Sequence, residues 1–372
     1  MKHKFFSIAT ILLFVLGMMY ALQGVSGARV QADNLSIQRE TELDWTQIIT
    51  DHFPSPRSLH VTAYDNLREV TVLFGGWGID GRLNDTWEWN GSEWIQRFPK
   101  SSPPSLAGAA LVYDSARRVC VLFGGYSGGY TNGTWEWDGD NWTQRNPVTS
   151  PNKRGYHAMV FDSQRMVTVL FGGQPESLSS ILDDTWEWDG ENWKRLFPGE
   201  SPEGRAYHGM AYDNIRGETV LFGGRNQSFV SYYDTWVWNG TDWIRRSPES
   251  SPPTYASMVF DSAREVAVLF ESPLYKKIAW EWDGVDWSQR TINNSPKDAR
   301  YDYTLSYDSA REMIVLFGGY RTTSQYEYWY GETWEYGIVS DPDPKPTPEP
   351  SPEPTPEPDP DEFNLFLPLI FH

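Results

Sequence analysis

The amino-acid sequence predicts an all-β protein, and three features carry that prediction. The 372 residues include 19 Trp, 31 Gly and 26 Pro, a composition that favours many short strands joined by turns. The tetrapeptide LFGG, or its degenerate form LFES, recurs roughly every 49 residues, a period typical of repeat architectures. Each period contains four short apolar segments in a fixed order. The six copies begin at Leu73, Leu122, Leu170, Leu221, Leu269 and Leu316.

The four segments of each repeat are predicted to be strands. In the first repeat they are HVTAYD, EVTVLFGG, DTWEWN and EWIQR, whose β-branched and aromatic residues favour strands. The separators DNLR and NGS and the Gly pair are turn signals. Six such units cover Asp44 to Gly337, and four strands repeated six times predict a six-bladed β-propeller of antiparallel blades.

Two strand types have distinct predicted places in each blade. The EVTVLF segment is almost continuously apolar, as expected for a strand that neighbouring blades cover on both sides. The segment before it carries small residues such as Ala63, Ala158 and Gly209, which suit the crowded strand beside the central axis. The sequence therefore predicts that the chain builds each blade from its inner edge outwards.

The sixth repeat lacks a fourth strand. It supplies DYTLSYD, MIVLFGG and ETWEYG and then stops, whereas the segment LDWTQ from Leu43 precedes the first repeat and has no strands of its own. We expect LDWTQ to be the missing outer strand of the sixth blade. The N-terminal strand would then close the ring and remove exposed sheet edges.

The segment from Arg57 to Arg97 combines several residues at fixed strand positions. They are Arg57 and His60 in the first strand, Gly75 and Gly76 after the second, Trp87 and Trp89 in the third and Trp94 in the fourth. This segment resembles a kelch repeat, and the resemblance extends over residues 43–337. It implies a propeller like the central domain of galactose oxidase. The family includes binding scaffolds, a copper oxidase and carbohydrate-active proteins, so the resemblance leaves function open.

The N-terminus is predicted to carry an export signal. Residues 1–28 have a basic start, an apolar run from Phe5 to Leu22 and small residues near Ala28, a pattern typical of a secretory signal peptide. The run is also long enough for an uncleaved membrane anchor, and that alternative stays open. Residues 29–42 are predicted to be a short linker. Either version places the protein outside the cell or on its surface.

The C-terminus predicts a stalk and a tail. Residues 338–361 are rich in proline and acid, which predicts a disordered, extended spacer. Residues 362–372 are hydrophobic but too short to cross a bilayer as a helix. We interpret this tail either as an attachment to the cell envelope or as a disordered end.

Charge and cysteine content exclude some functions. The formal net charge of −19 gives no electrostatic support for binding nucleic acid or an anionic membrane. The single cysteine, Cys120, cannot form an intrachain disulfide, and its apolar neighbours predict a buried core side chain. We expect a monomeric propeller that is stable without a disulfide.

Acidic residues at fixed repeat positions are predicted to be structural. An Asp that precedes an Arg by three residues recurs in all six repeats, as in Asp65 and Arg68, and fits a hairpin turn. A Glu between the aromatic residues of the third strand recurs in five repeats. Equivalent positions on a ring lie too far apart for the carboxylate pair of a glycosidase, so we expect these Glu residues to pair with fourth-strand bases such as Arg97, Arg145 and Arg290.

Three histidines are the strongest candidates for a catalytic metal site. His60, His157 and His208 share one repeat position, and three histidines are a possible metal site. They come from blades that are not all adjacent, and they belong to the kelch pattern. We therefore predict no metal, no cofactor and no catalytic residue. A carbohydrate-active or oxidase-like enzyme on the same propeller stays open as the alternative to a binding scaffold.

The predicted ligand site lies in the loops that follow the Gly pairs. These loops differ between repeats and emerge on one face of the ring, where binding residues usually lie on a rigid scaffold. Aromatic residues with polar tips suit a protein or glycan ligand, although packing between loops explains them equally well. The loop of blade six is the richest. The candidates are Tyr320, Tyr326, Tyr328, Trp329, Tyr330, Trp77, Tyr126, Tyr130, Tyr232, Tyr233 and Tyr275.

Overall fold

The structure is a computed structural model that describes residues 43–176, 181–253, 257–270, 277–298 and 300–338. Within these ranges the regular structure consists of strands, with no helix. The strands are β1 Leu43–Ile48, β2 Val61–Asp65, β3 Val70–Gly78, β4 Gly81–Trp89, β5 Trp94–Arg97, β6 Ala110–Asp114, β7 Val119–Phe123, β8 Thr134–Trp137, β9 Trp142–Arg145, β10 Arg154–Gly155, β11 Ala158–Asp162, β12 Val167–Pro175, β13 Leu182–Trp188, β14 Trp193–Leu196, β15 Gly209–Asp213, β16 Glu218–Phe222, β17 Thr235–Trp238, β18 Trp243–Arg246, β19 Met258–Asp261, β20 Val266–Phe270, β21 Ile278–Trp282, β22 Trp287–Thr291, β23 Thr304–Asp308, β24 Met313–Phe317, β25 Tyr320–Thr322, β26 Glu327–Trp329 and β27 Thr333–Ile338.

The strands form six four-stranded antiparallel blades, which confirms the predicted six-bladed propeller. Blades one to five each take four consecutive main strands, beginning at β2, β6, β11, β15 and β19. Strand β10 adds to the end of β12, and β25 and β26 form a separate hairpin in the loop of blade six. The innermost strands β2, β6, β11, β15, β19 and β23 each contact the next, and β23 contacts β2. They therefore enclose a central channel.

The N-terminal strand closes the ring, as predicted. Blade six has the order β1-β27-β24-β23, and β1 pairs antiparallel with β27 from Leu43 opposite Ile338 to Ile48 opposite Thr333. The indole of Trp45 is buried against Phe270 of blade five and Tyr336 of blade six, with ring centroids 4.7 and 5.3 Å away. The first strand of the domain thus packs into the last junction of the ring.

A tryptophan and a threonine join most neighbouring blades. The fourth-strand Trp of one blade donates its indole hydrogen to the third-strand Thr of the preceding blade. At the junction of blades five and six the corresponding residue is Ala279, and Nε1 of Trp45 has no hydrogen-bond partner among the described residues. The bonded pairs are Trp94 with Thr333, Trp142 with Thr86, Trp193 with Thr134, Trp243 with Thr185 and Trp287 with Thr235.

The repeated acidic residues are structural, as predicted. Oδ1 of Asp65 accepts hydrogen bonds from the backbone N–H groups of Leu67 and Arg68, and Oδ2 accepts from Nε of Arg68 at 2.7 Å. The buried Glu88 pairs with Arg68 and with the fourth-strand Arg97. Glu136 and Glu281 pair in the same way with Arg145 and Arg290. These carboxylates are therefore bound within the blade framework.

A buried arginine ties the start of each of four blades to its third strand. Arg57 bonds both carboxylate oxygens of Asp85, at 2.6 and 2.8 Å, and donates to the carbonyl of Gly75 in the Gly pair. Burial raises the pKa of Asp85, but the bonds and charge of Arg57 outweigh it and hold the pKa below its usual value. The other pairs are Arg154 with Asp184, Arg205 with Asp234 and Arg300 with Glu332.

The second strands form the hydrophobic core. Val72, Leu73 and Phe74 are completely or almost completely buried, because adjacent blades cover both faces of β3. Cys120 on β7 is a buried free thiol, and burial raises its pKa well above the usual value. It occupies the core position that the sequence predicts.

The predicted leader, linker, stalk and tail lie outside the described residues, except Ile338, which the sequence assigns to the stalk and which ends β27 in the structure. In the part of the chain that the structure describes, there is no apolar helix of membrane-spanning length.

Candidate functional site

The loops after the Gly pairs and the crossovers between blades meet on one side of the ring, here called the loop face. In four blades a short backbone bridge joins the crossover to the loop of the same blade. The bridged pairs are Ser58 with Trp77, Ala107 with Tyr126, Ala206 with Arg225 and Tyr301 with Tyr320.

A belt of backbone hydrogen bonds borders the channel on the loop face in the described blades. It is formed by residues at one repeat position, two residues before the first strand, which we call the mouth ring. The N–H of Leu59 donates to the carbonyl of Asp302, Gly108 to Leu59, Tyr156 to Gly108 and Tyr207 to Tyr156, at 2.8 to 3.0 Å. All five residues have φ between 54° and 62°. The blade-five residue at this position lies outside the described residues. The mouth ring is Leu59, Gly108, Tyr156, Tyr207 and Asp302.

A cavity of about 570 Å³ opens below the mouth ring. Its wall combines the mouth ring with the first residues of the inner strands, together with Arg225 and Tyr320 from the loops. The volume lies in the range of small-molecule sites. The backbone conformation of the ring is the same in the five blades where it is described, but the side chains differ. The mouth is therefore asymmetric although its backbone repeats.

Stacked rings form one side of the mouth. The phenol rings of Tyr156 and Tyr207 lie parallel, with centroids 4.4 Å apart and planes inclined by 17°. The guanidinium of Arg225 covers Tyr207 at 4.2 Å and lies 4.9 Å from the ring of Phe229. Contacts of this kind are worth about 0.5–2 kcal/mol each. They hold the side chains of blades three and four in a rigid stack.

The stack continues across the loop face into blades one and two. The ring of Tyr130 lies 6.2 Å from Tyr156 and 5.5 Å from Tyr126, and the guanidinium of Arg82 lies 5.3 Å from the rings of both Trp77 and Tyr126. We call this run of side chains the aromatic arc. Its members are Trp77, Arg82, Tyr126, Tyr130, Tyr156, Tyr207, Arg225 and Phe229.

Two glycines make room for the arc. A Cβ atom on Gly108, whose φ is 62°, would lie 2.5 Å from the ring of Tyr156, and one on Gly155 would lie 2.7 Å from the ring of Tyr130. Both distances are shorter than van der Waals contact. The sequence therefore pairs each of these tyrosines with a glycine in the crossover beside it.

Asp302 faces the stack from the other side of the mouth. The channel leaves this carboxylate open to solvent, yet the walls around it limit hydration and raise its pKa, and the charge of Arg225 offsets only part of that shift. Asp302 makes no ion pair within the described residues, and neither does Arg225. The mouth thus carries one negative and one positive charge that are not neutralised by direct contact.

The structure brings part of the predicted site together. Trp77, Tyr126 and Tyr130 belong to the aromatic arc, and Tyr320 lines the cavity and lies 5.4 Å from Trp329 in the β25–β26 hairpin. Of these residues only Tyr320 lines the cavity, whereas Trp77, Tyr126 and Tyr130 connect to it through the contact of Tyr130 with Tyr156.

Other predicted residues lie away from the cavity. Tyr326 and Tyr328 are at the exposed hairpin, with 63% and 46% of their surfaces accessible, and Tyr233 is 49% accessible. Tyr232 and Tyr330 share a repeat position and pack over the framework arginines Arg205 and Arg300, at 4.3 and 4.1 Å. Tyr275 lies outside the described residues.

Sequence reasoning missed four residues of the mouth, namely Tyr156, Tyr207, Arg225 and Asp302. Three of them occupy the position between the framework arginine and the first strand. In the described blades this position is occupied by Leu, Gly, Tyr, Tyr and Asp, whereas the residues beside it repeat. A variable position next to repeated ones is the sequence signal that could have identified it as part of a binding site. The fourth, Arg225, follows a Gly pair directly, as Trp77 and Tyr126 do.

The three histidines pack between blades. The rings of His60, His157 and His208 each meet a phenylalanine of the preceding blade edge-on, Phe317, Phe123 and Phe171 respectively. Burial, together with the neighbouring arginine, lowers the pKa of His60 and His208 to about 3 and that of His157 well below its usual value. Within the described ranges, no three His, Cys, Asp or Glu side chains are grouped as metal ligands would be.

Comparisons with known proteins agree with this architecture. A family model described as the KLHDC2/KLHL20/DRC7 Kelch-repeats domain matches residues 88–259. The chain is similar to the solved structure of YjhT, with a TM-score of 0.57 and 12% sequence identity, covering 79% of this chain and 98% of that chain. At this identity the similarity concerns the fold alone. No curated protein matches the chain.

The chain is thus a six-bladed β-propeller that matches a Kelch-repeats family model over residues 88–259, in agreement with the predicted resemblance. Propellers of this kind serve in general as binding scaffolds, commonly for protein partners.

Proposed function

We propose that the protein is an exported or surface-displayed binding scaffold that holds a protein or glycan ligand on its loop face. One observation carries this proposal: the framework repeats from blade to blade, whereas the mouth ring and the aromatic arc do not. A purely structural role would favour equivalent side chains in every blade. Some of the side chains that break the repeat line one cavity, namely the mouth ring, Arg225 and Tyr320, and the rest of the aromatic arc extends from it across the loop face.

The chemistry of the loop face supports binding. Tyrosine, tryptophan and arginine are the residues that dominate binding energy at interfaces, and the arc and hairpin provide all three. Stacking fixes the arc before a ligand arrives, which lowers the entropy cost of binding. The exposed hairpin residues Tyr326 and Tyr328 extend the candidate surface beyond the mouth.

Features of the sequence support display outside the cell. The leader, the proline-rich stalk and the hydrophobic tail each fit a protein that is exported and held away from the cell envelope. A monomeric propeller on such a stalk would present its loop face to soluble or surface ligands. The net charge of −19 disfavours nucleic acid as a partner.

Two double variants test the proposal on a panel of immobilised oligosaccharides and peptides. Replacing Tyr156 and Tyr207 with Ala removes the stack at the mouth, and replacing Tyr328 and Trp329 with Ala removes the hairpin rings. We expect at least one of them to weaken binding roughly tenfold or more, since about 1.4 kcal/mol corresponds to that factor. Unchanged affinity in both variants, with folding intact by circular dichroism, would place the ligand off the loop face and contradict the proposal.

Export has its own test. The N-terminus of the protein from the culture medium or cell surface is sequenced after expression of the full chain. We expect mature protein that begins after Ala28 or Ala32 or that retains the leader as an anchor. Full-length protein found in the soluble cytoplasmic fraction would contradict export.

A further inference from the structure

The mouth of the channel holds one positive and one negative side chain beside two stacked phenols, and we propose that it binds the terminal residue of an uncharged glycan. This inference rests on the proposed function, because it specifies the ligand of the loop face. It assigns hydrogen-bonding roles to Arg225, Asp302 and the phenol of Tyr207.

The charges of the mouth favour a neutral ligand. Arg225 and Asp302 both line the cavity, and each is close enough for its charge to act on the other. A carboxylate attracted by Arg225 would also meet Asp302, in a protein of net charge −19. An ammonium group attracted by Asp302 would be repelled by Arg225. Hydroxyl groups can accept from the guanidinium and donate to the carboxylate without either penalty.

The groups at the mouth are positioned for hydrogen bonding. One face of the Tyr207 ring is covered by Tyr156 and Arg225 lies over the ring as well, so a ligand meets ring edges and phenol oxygens. The stack restrains Arg225, whose donors have fixed geometry. A carboxylate kept without an ion pair, and with a raised pKa, is typical of functional sites.

The shape of the mouth favours a chain end. The backbone belt of the mouth ring borders the opening in five described blades, and the cavity of about 570 Å³ lies below it. A terminal residue can enter such a recess, whereas the middle of a polymer would have to lie across it. The ends of a peptide carry a full charge, but the ends of a neutral glycan carry none. This difference favours a glycan over a peptide.

Four single variants separate the roles. Asp302→Asn removes the charge of the acceptor, Arg225→Gln removes the cationic donor, and Tyr207→Phe removes one hydroxyl but keeps the stack. Tyr233→Phe is the matched control, because it removes a hydroxyl from an exposed tyrosine of the same blade. All four are compared with the parent by near-ultraviolet circular dichroism and thermal melting to show that the fold is kept.

The probes are oligosaccharides immobilised through their reducing ends, both neutral and uronic-acid-containing, and peptides with free termini. We expect binding to neutral oligosaccharides that share a terminal residue. The free monosaccharide of that residue should compete, and a cyclic oligosaccharide of the same sugar, which has no end, should not. Asp302→Asn and Arg225→Gln should each weaken binding at least about tenfold, Tyr207→Phe several-fold and Tyr233→Phe less than twofold.

The outcomes distinguish this inference from the proposed function. Binding only to acidic probes or peptide termini, improved by Asp302→Asn and lost with Arg225→Gln, would overturn the inference and keep a binding scaffold. The inference would also be overturned if neutral oligosaccharides bind with the same affinity to all four variants, or if a cyclic oligosaccharide inhibits this binding. Either result would leave the loop-face function intact. The absence of binding to every probe would contradict both.

Discussion

Nε1 of Trp94 donates a hydrogen bond to Oγ1 of Thr333 at 2.8 Å, and this bond joins blade one to blade six. Both groups are buried, so the bond is shielded from water. Trp94 also packs edge-on against Phe317 of blade six, with ring centroids 5.1 Å apart. The junction between blades six and one therefore has the same Trp–Thr hydrogen bond as four other junctions.

Removing the acceptor at this junction should weaken the whole domain. Thr333→Val keeps the shape of the side chain but leaves Nε1 of Trp94 buried without a partner, which costs about 1–3 kcal/mol. Chemical denaturation measures the loss. Thr333→Ser keeps the hydroxyl and is the control, for which we expect a smaller loss. Equal losses in both variants would show that the methyl group, and not the bond, stabilises the junction.

The junction of blades five and six offers the reverse experiment. Ala279 stands where the other junctions have Thr, and Nε1 of Trp45 has no partner among the described residues. Ala279→Thr should supply the acceptor, and Ala279→Val adds the same bulk without it. We expect the Thr variant to be more stable than the Val variant by about 1 kcal/mol in denaturant unfolding. A Val variant that is equally stable would contradict this account of the junction.

Much of this framework could be predicted from the sequence, because its residues recur in most blades. The closing strand β1 was identifiable from the orphan segment LDWTQ, and the pairing of Glu88 with Arg97 from their strand positions. The mouth could be predicted only in part. Arg225 and Asp302 come from different blades, far apart in the chain, and nothing in either local sequence indicates that they line the same cavity. Tyr330 belongs to the loop with the most aromatic residues, yet its ring packs over Arg300. Aromatic content alone therefore does not distinguish a packed ring from an exposed one.

The buried ion pairs make the domain sensitive to acid. Burial raises the pKa of Asp184, but its hydrogen bonds to Arg154 and the charge of that residue outweigh burial and lower the pKa below the usual 3.8. A lowered folded-state pKa contributes stability above pH 3.8 that is lost as the pH falls through the folded-state value. Asp184→Asn should therefore cost about 3–5 kcal/mol at neutral pH and progressively less in acid.

Urea unfolding of the Asp184→Asn variant at several pH values tests this dependence. The control is Glu176→Gln, which removes an exposed ion pair with Lys153 at 3.9 Å and should cost less than about 1 kcal/mol. A loss in Asp184→Asn that is constant from neutral to acidic pH would show that packing, not charge, accounts for it.

Asp302 should have the opposite effect on stability. The walls around this carboxylate limit its hydration and raise its pKa, so the folded state holds the proton more tightly than the unfolded state. Stability therefore falls as the pH rises through the folded-state pKa. Asp302→Asn should therefore raise the melting temperature at neutral pH and give little gain in acid. Thermal melting at both pH values measures this. A variant that is destabilised at neutral pH would show that the carboxylate supports the fold.

Binding at the mouth is the central claim. Hydrogen–deuterium exchange in the presence of the panel oligosaccharide or peptide that binds most tightly tests it most directly. On saturation with that ligand, we expect slower exchange in the segments that contain Tyr156, Tyr207 and Arg225. The turns on the opposite face, such as Asp65 to Arg68 and Asp162 to Arg165, should exchange at an unchanged rate. Protection confined to those turns or to the outer strands, with the mouth unaffected, would contradict the claim.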